Sequence, residues 1–127
     1  CLPVSELMAL DDTFADWNCH GAGLHASPPG ARLGVHLDSD HHPLTGWQRA
    51  CNAILFVNSC WRPDWGGELE LMNDDGTECV KRIAPRFNRL VLFEPSDVAF
   101  HAVAQNRGPV TRKTLTTFYW RESLVQG

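Results

Sequence analysis

The longest strand-like stretch of the chain reads Arg112-Lys113-Thr114-Leu115-Thr116-Thr117-Phe118-Tyr119-Trp120. β-Branched and aromatic residues dominate it, and such residues pack well on a pleated sheet. Successive side chains of a strand point to opposite faces. One face therefore carries a cation, two hydroxyls and an aromatic wall, which are Arg112, Thr114, Thr116, Phe118 and Trp120. The other face carries Lys113, Leu115, Thr117 and Tyr119.

Shorter runs of the same character precede this stretch, bounded by Gly, Pro, Asn and Asp. They predict strands at 32–38, 50–57, 67–72, 78–83, 89–93 and 99–103, ahead of the one at 113–120. The turn sequence Asn73-Asp74-Asp75-Gly76 predicts a hairpin, because Asp and Gly tolerate positive φ. Apolar residues spaced three and four apart predict one amphipathic helix over 5–17. Together these elements predict a sandwich or open barrel with a helix packed on one sheet.

Composition narrows the class of protein. The chain has 127 residues, 43% hydrophobic and 20% charged, which is typical of one ordinary domain. Its net charge of −4 disfavours direct nucleic-acid binding. Its apolar runs are far shorter than the roughly 18–20 residues that a membrane helix needs. Five scattered cysteines without a Cys-x-x-Cys pair favour free thiols in a reducing compartment, so we expect a cytoplasmic location. The sequence starts at Cys1, which is compatible with a trimmed N-terminus.

A candidate metal site comes from two separate segments. His36 and Asp38 lie on the same face of a predicted strand, although a solvated surface strand also carries such pairs. His101 is the only histidine in the last half of the chain and lies among small and apolar residues, where a core histidine bonded to a carbonyl is a common alternative. Two histidines and one carboxylate are the set that holds non-haem Fe(II) with open positions.

Arg112 adds a candidate anchor for an acid. Its planar guanidinium matches a carboxylate bidentately, so it can hold a dicarboxylic acid whose other end reaches the metal. A solvated surface arginine is the alternative.

In this order and spacing, His36-x-Asp38, His101 and Arg112 resemble the Fe(II)- and 2-oxoglutarate-dependent dioxygenases. The resemblance is to the prolyl 4-hydroxylase-like branch, which includes the enzymes that act on hypoxia-inducible factor and their bacterial relatives. It covers about 31–120, through the segments 49–58, 65–69, 83–93, 96–97, 101–103 and 112–120. It implies a mainly β fold, a double-stranded β-helix (jelly roll, cupin-like) with an N-terminal helix packed on the major sheet. We expect one catalytic domain over 1–127, with a helical part at about 4–18 and a core at about 22–121.

The resemblance also implies the cofactors and the reaction. His36, Asp38 and His101 would bind Fe(II), and Arg112 would hold the C5 carboxylate of 2-oxoglutarate, with Thr114, Thr116 and Phe56 beside it. With O2, and with ascorbate in support, the enzyme would hydroxylate a C–H bond and release succinate and CO2. A prolyl residue of a peptide or protein is the expected substrate; no nucleic acid or membrane is expected, and the oligomeric state does not follow from the sequence.

Several positions depart from the family pattern or compete with these assignments. Phe56 stands where a family tyrosine would help to hold 2-oxoglutarate, and a second tyrosine is replaced near Ser27. Lys113 competes with Arg112, since collagen-type relatives use lysine there, but the inward parity of Thr116 and Phe118 favours Arg112. The competing ligands are Asp40, His41 and His42. Asp40 is expected to lie in a mobile loop, and His41 and His42 are expected to be loop residues near the substrate mouth, solvated rather than ligating.

We expect substrate to enter between the loops 39–48 and 58–65, where Trp61, Arg62 and Trp65 would meet a peptide unless these tryptophans belong to the core. Three rival interpretations remain from the sequence. They are a jelly-roll metal-binding module without turnover, a zinc-dependent hydrolase or isomerase that uses the same ligands, and a metal-free interaction domain.

Overall fold

Two antiparallel sheets make up the computed structural model, which describes residues 13–15, 22–38 and 41–122. Within these ranges the strands are β1 (Phe14–Ala15), β2 (Gly23–Ser27), β3 (Leu33–His36), β4 (Gln48–Phe56), β5 (Leu69–Met72), β6 (Cys79–Ile83), β7 (Leu90–Phe93), β8 (His101–Val103) and β9 (Arg112–Arg121). A short 3-10 turn occupies Pro63–Trp65. This architecture confirms the mainly β, jelly-roll prediction.

The sheets are built by pairing between strands that are distant in sequence. The major sheet has the order β1-β9-β4-β7, with β2 also paired to β9, and the minor sheet has the order β3-β8-β5-β6. The long strands β4 and β9 run antiparallel down the middle of the major sheet, with Phe56 opposite Thr114 and Ile54 opposite Thr116. One face of each sheet lines a shared cavity, so alternate residues of β4 and β9 point towards it.

The strand predictions from 32–38 to 113–120 are confirmed within a few residues at each end. The Asn73–Gly76 hairpin is also confirmed, since β5 and β6 pair antiparallel and the Gly76 amide donates to the Asn73 carbonyl at 3.0 Å. Strand β2 was not predicted. It is short, mostly exposed and rich in small residues, and pairing with β9 is what makes it a strand.

The helix predicted over 5–17 is wrong where it can be compared. Phe14 and Ala15 are extended and pair with Trp120 and Tyr119 of β9, because the edge of a long strand offers backbone partners that local periodicity does not reveal. Phe14 also packs edge-on against Trp47, with ring centroids 4.8 Å apart. The rest of that predicted helix lies outside the described residues.

The core is small and lies mainly on β4, β5 and β9. Trp120, Phe56 and Leu69 are its largest buried apolar side chains. The outer face of the major sheet remains half exposed at Leu90 and Leu115. No helix in the described part of the chain has the length and hydropathy of a membrane span.

Candidate active site

His36, Asp38 and His101 come together at one end of the minor sheet. His36 ends β3, His101 begins β8, and the two residues are register partners across the strand pair. Asp38 follows two residues after His36, and ligand atoms of all three lie within 4.8 Å of one another. The Nε2 atom of His36 is 3.4 Å from Asp38 Oδ1, and that of His101 is 3.5 Å from Asp38 Oδ2. The structure thus brings two imidazoles and one carboxylate together around a single point.

The backbone orients both imidazoles in the same way. The Nδ1 atom of His36 lies 2.8 Å from the Gly34 carbonyl, and that of His101 lies 3.0 Å from the Ala99 carbonyl. A carbonyl only accepts, so each Nδ1 carries the proton and donates it, which leaves each Nε2 lone pair free for a metal. Fixing the tautomer through the other ring nitrogen is the usual way in which proteins orient metal-binding histidines.

Charge within the triad also suits a cation. Burial raises the pKa of Asp38, but the hydrogen bond from His101 and the surrounding positive charges outweigh it, so this pKa lies below its usual value. Burial lowers the pKa of His101, but the Asp38 carboxylate and the Ala99 carbonyl raise it overall. Asp38 is therefore ionised at neutral pH, and its anionic carboxylate between the two imidazoles suits a cation.

The triad opens into a cavity of about 210 Å³ between the two sheets. Residues of both sheets line it: His25, Ser27, Leu33, His36, Asp38, Asn52, Ile54, Leu69, His101, Val103, Arg112, Thr114, Thr116 and Phe118. The lining combines the polar triad and Arg112 with the apolar side chains of Leu33, Ile54, Leu69 and Val103.

Arg112 is a buried cation in this cavity. Only 6% of it is exposed, and its Nε donates to the Gly67 carbonyl at 2.7 Å. Burial lowers the pKa of Arg112 to about 10, although the charge of Glu68 partly opposes the shift. Among the described residues no carboxylate lies within ion-pair distance of it. A buried, uncompensated guanidinium facing the same cavity as the triad fits one carboxylate of a small diacid.

Two consecutive glycines allow Arg112 to lie there. Gly66 and Gly67 both have φ of 70°. A Cβ on Gly67 would meet Trp61 at 2.9 Å and the Arg112 side chain at 3.2 Å. The missing side chain therefore lets the Gly67 carbonyl reach the guanidinium. Trp61 supports this loop by donating from Nε1 to the Gly66 carbonyl at 2.9 Å.

The other residues proposed for 2-oxoglutarate are distributed around Arg112. Thr114 and Thr116 line the cavity on the same face of β9. Phe56 is fully buried and lies behind the guanidinium, whose carbon is 5.2 Å from the ring centroid, so it supports Arg112 without lining the cavity. Ser27 lies directly opposite Arg112 across the β2–β9 pair.

The competing candidates lie elsewhere. Lys113 is exposed on the opposite face of β9. His41 is exposed, and Asp40 lies outside the described residues. His42 is not solvated as expected but 2% exposed, because it packs against Trp120 with ring centroids 4.9 Å apart and accepts the Leu44 amide on Nδ1.

The two tryptophans expected near the substrate mouth are used in packing. Trp61 and Trp65 stack edge to face with centroids 5.3 Å apart, and a Cβ on Gly108 would lie 2.7 Å from Trp65. Their contacts brace the Gly66–Gly67 loop behind Arg112.

Two buried polar residues of β4 were missed by the sequence reasoning. Asn52 donates from Nδ2 to Asp38 Oδ2 at 2.7 Å. Arg49 lies with its guanidinium carbon 3.8 Å from the centroid of the Phe118 ring. The signal was available for Asn52, since it is the one polar residue within the apolar run from Ala50 to Phe56, at an inward position of the strand.

Comparisons with known proteins agree with this geometry. Prolyl 3-hydroxylase OGFOD1 of Mus musculus is 33% identical over 78 residues, which are 58% of this chain and 14% of that protein. The Xenopus laevis protein of the same name is 43% identical over 56 residues, covering 41% of this chain and 11% of its own length.

Two solved structures are similar along most of the chain. A Pseudomonas putida prolyl-4-hydroxylase superposes with a TM-score of 0.55 at 29% identity, covering 80% of this chain and 50% of that one. A prolyl 4-hydroxylase of Phytophthora capsici gives a TM-score of 0.60 at 27% identity, with coverages of 82% and 32%. The chain spans half or less of the length of each of these relatives.

A family model described as the 2OG-Fe(II) oxygenase superfamily matches residues 22–120, which include the triad, Arg112 and both sheets. The cofactors of that superfamily are Fe(II), 2-oxoglutarate and O2, and the donor set of the cavity fits them. This chain, similar to prolyl hydroxylases in sequence and structure, belongs to the 2OG-Fe(II) oxygenase superfamily.

Proposed function

We propose that the protein is an Fe(II)- and 2-oxoglutarate-dependent oxygenase that hydroxylates a prolyl residue of a peptide or protein. One observation carries the proposal: a His-Asp-His triad and an uncompensated buried arginine line the same cavity. The zinc-hydrolase interpretation does not explain the arginine, because simple hydrolysis at zinc has no use for a buried cation in the same cavity.

In this proposal His36, Asp38 and His101 hold Fe(II). They supply two neutral nitrogen donors and one anionic oxygen donor, which leaves coordination positions for the cosubstrates. When bound, the iron and its cosubstrates supply the oxidation that inserts one oxygen atom into a C–H bond and yields succinate and CO2. The Nδ1 bonds to the Gly34 and Ala99 carbonyls keep both imidazoles aimed at the metal position.

Arg112 binds and orients the C5 carboxylate of 2-oxoglutarate. Its Nε is held by the Gly67 carbonyl, which leaves its terminal nitrogens for a bidentate contact. Thr114 and Ser27, on neighbouring strands beside it, offer hydroxyl donors. These hydroxyls compensate for the phenol that Phe56 lacks. The apolar residues of the same lining reduce contact with water and so strengthen both charge interactions.

We propose a prolyl substrate because the similar proteins and solved structures described above are prolyl hydroxylases. The whole chain as a single catalytic domain and a cytoplasmic location remain predictions.

The test is incubation of the full chain with Fe(II), ascorbate, 2-oxoglutarate and a panel of proline-containing peptides. Succinate would be quantified, and a gain of one oxygen atom would be sought by mass spectrometry. We expect metal-dependent succinate with wild type and none with His101→Ala. Absence of metal-dependent succinate, with or without peptide, would overturn the oxygenase proposal. Succinate without hydroxyproline on any peptide would overturn only the prolyl substrate.

A further inference from the structure

Asn52 is a buried polar residue that links the two sheets at the triad. It lies on β4 of the major sheet, 1% exposed, between Phe93 and Phe118 on the flanking strands. Its Nδ2 donates to Asp38 Oδ2 at 2.7 Å, so the bond joins β4 of the major sheet to the segment that follows β3 of the minor sheet. Asp38 follows the end of β3, and among the described residues Asn52 makes the shortest hydrogen bond to its carboxylate, shorter than the 3.4 and 3.5 Å approaches of the two histidines.

The orientation of the Asn52 amide is dictated by this contact. An ionised carboxylate only accepts hydrogen bonds, so the amide must turn its NH2 group towards Asp38. Its Oδ1 is buried and has no hydrogen-bond partner among the described residues. The side chain therefore leaves its own acceptor unsatisfied in order to donate to the carboxylate, which is unusual for a group serving stability alone.

The bond also distinguishes the two oxygens of Asp38. The Nε2 atoms of both histidines approach the carboxylate at 3.4 and 3.5 Å from the side where the three groups converge. A metal held by the triad would lie between these groups. Asn52 comes from the opposite sheet, and its short bond occupies Oδ2, which His101 Nε2 also approaches at 3.5 Å. Among the described residues Oδ1 has only the 3.4 Å approach of His36 Nε2.

We propose that Asn52 is a positioning residue for the metal site: it fixes the Asp38 carboxylate so that Oδ1 is presented to the metal together with the two Nε2 atoms. The inference rests on the proposed metal site and adds a fourth residue to it. Residues that orient metal ligands in this way typically change metal affinity by about 10- to 100-fold when they are removed.

The experiment is a Co(II) titration of the metal-free full chain, followed by the visible absorption of bound Co(II), for wild type and three variants. Asn52→Leu has a similar shape without the donor, and Asn52→Val favours strand structure. Ile54→Val is the matched control, because Ile54 lines the same cavity from the same strand without a polar contact. Thermal unfolding of each metal-free protein is measured in parallel.

We expect both Asn52 variants to bind Co(II) about 10- to 100-fold more weakly and to show altered absorption bands at saturation. Ile54→Val should match wild type. A purely structural role would lower the melting temperature of the metal-free protein and leave the Co(II) affinity unchanged, and that result in either folded Asn52 variant would overturn the inference. If wild type itself binds no Co(II), the proposed metal site fails instead.

Discussion

Arg112→Met separates the function of the buried arginine from its contribution to stability. Burial lowers the pKa of Arg112 to about 10, which corresponds to about 3 kcal/mol against the charged form in the folded protein. Removing the charge relieves that penalty. The variant loses the bond to the Gly67 carbonyl, worth about 1–3 kcal/mol when the carbonyl is left buried, and the contact with Phe56, worth about 0.5–2 kcal/mol.

These opposing contributions nearly cancel. We therefore expect the free energy of unfolding of metal-free Arg112→Met to lie within about 1.5 kcal/mol of wild type, in contrast to the larger losses usual for truncating a core residue. Its affinity for 2-oxoglutarate should fall at least roughly 30-fold, since removing one partner of a buried charge pair costs about 2–5 kcal/mol. Lys113→Met, on the exposed face of the same strand, should change neither quantity.

The assays are urea unfolding of the metal-free proteins and calorimetric titration of 2-oxoglutarate in the presence of Mn(II). Retention of 2-oxoglutarate affinity in Arg112→Met, or its loss in Lys113→Met, would refute the assignment of the anchor.

The sign of the pH dependence of this stability difference follows from the lowered pKa of Arg112. Because the pKa of Arg112 is lower in the folded protein than in the unfolded chain, the penalty is fully present below pH about 10 and fades as the pH rises above that value. The stability difference between wild type and Arg112→Met should thus be constant from about pH 6 to 9.

Three further expectations concern the loop, the thiols and the metal. Gly67→Ala should lower the free energy of unfolding in urea by about 1–3 kcal/mol more than Gly46→Ala, because both glycines have φ near 70° but only a Cβ on Gly67 would meet Trp61 and Arg112. Equal losses in the two variants would contradict the packing argument. Burial raises the pKa of Cys51 to about 11, so a thiol reagent at pH 8 should label exposed Cys60 and leave Cys51 unlabelled until urea is added. Peptide mass spectrometry would locate the label, and labelling of Cys51 in the folded protein would contradict the prediction. Mn(II) at 100 times its dissociation constant should stabilise the protein by about 2.7 kcal/mol in the same unfolding assay, reversed by EDTA, and no shift would count against the metal site.

Local pattern was sufficient for most of the strands and for the faces of β9. Alternation of side chains is a property of a single strand, so the inward positions of Arg112, Thr114 and Thr116 could be predicted before any partner strand was known. The same reasoning failed for β1 and β2. Phe14–Ala15 matches a helical spacing and Gly23–Ser27 has little strand propensity, and both are strands because β9 offers them its edge.

The candidate site shows the same division. The identities of His36, Asp38 and His101 could be proposed from the sequence because the chemistry of iron binding restricts the donor set. Their convergence depends on the pairing of β3 with β8, which joins segments more than sixty residues apart. The contact between Asn52 and Asp38 depends on the packing of the two sheets, and sequence spacing carries no information about it.

The sequence by itself determined the strand pattern, the inward face of β9, the set of candidate ligands and the family that they resemble. The tertiary structure decided which strands became neighbours, that His42 is buried, that Phe56 lies behind Arg112, and that Asn52 holds the carboxylate of Asp38. The physical reason is that periodicity and residue chemistry are local properties of the chain, whereas strand pairing and sheet packing are chosen by the free energy of the whole fold.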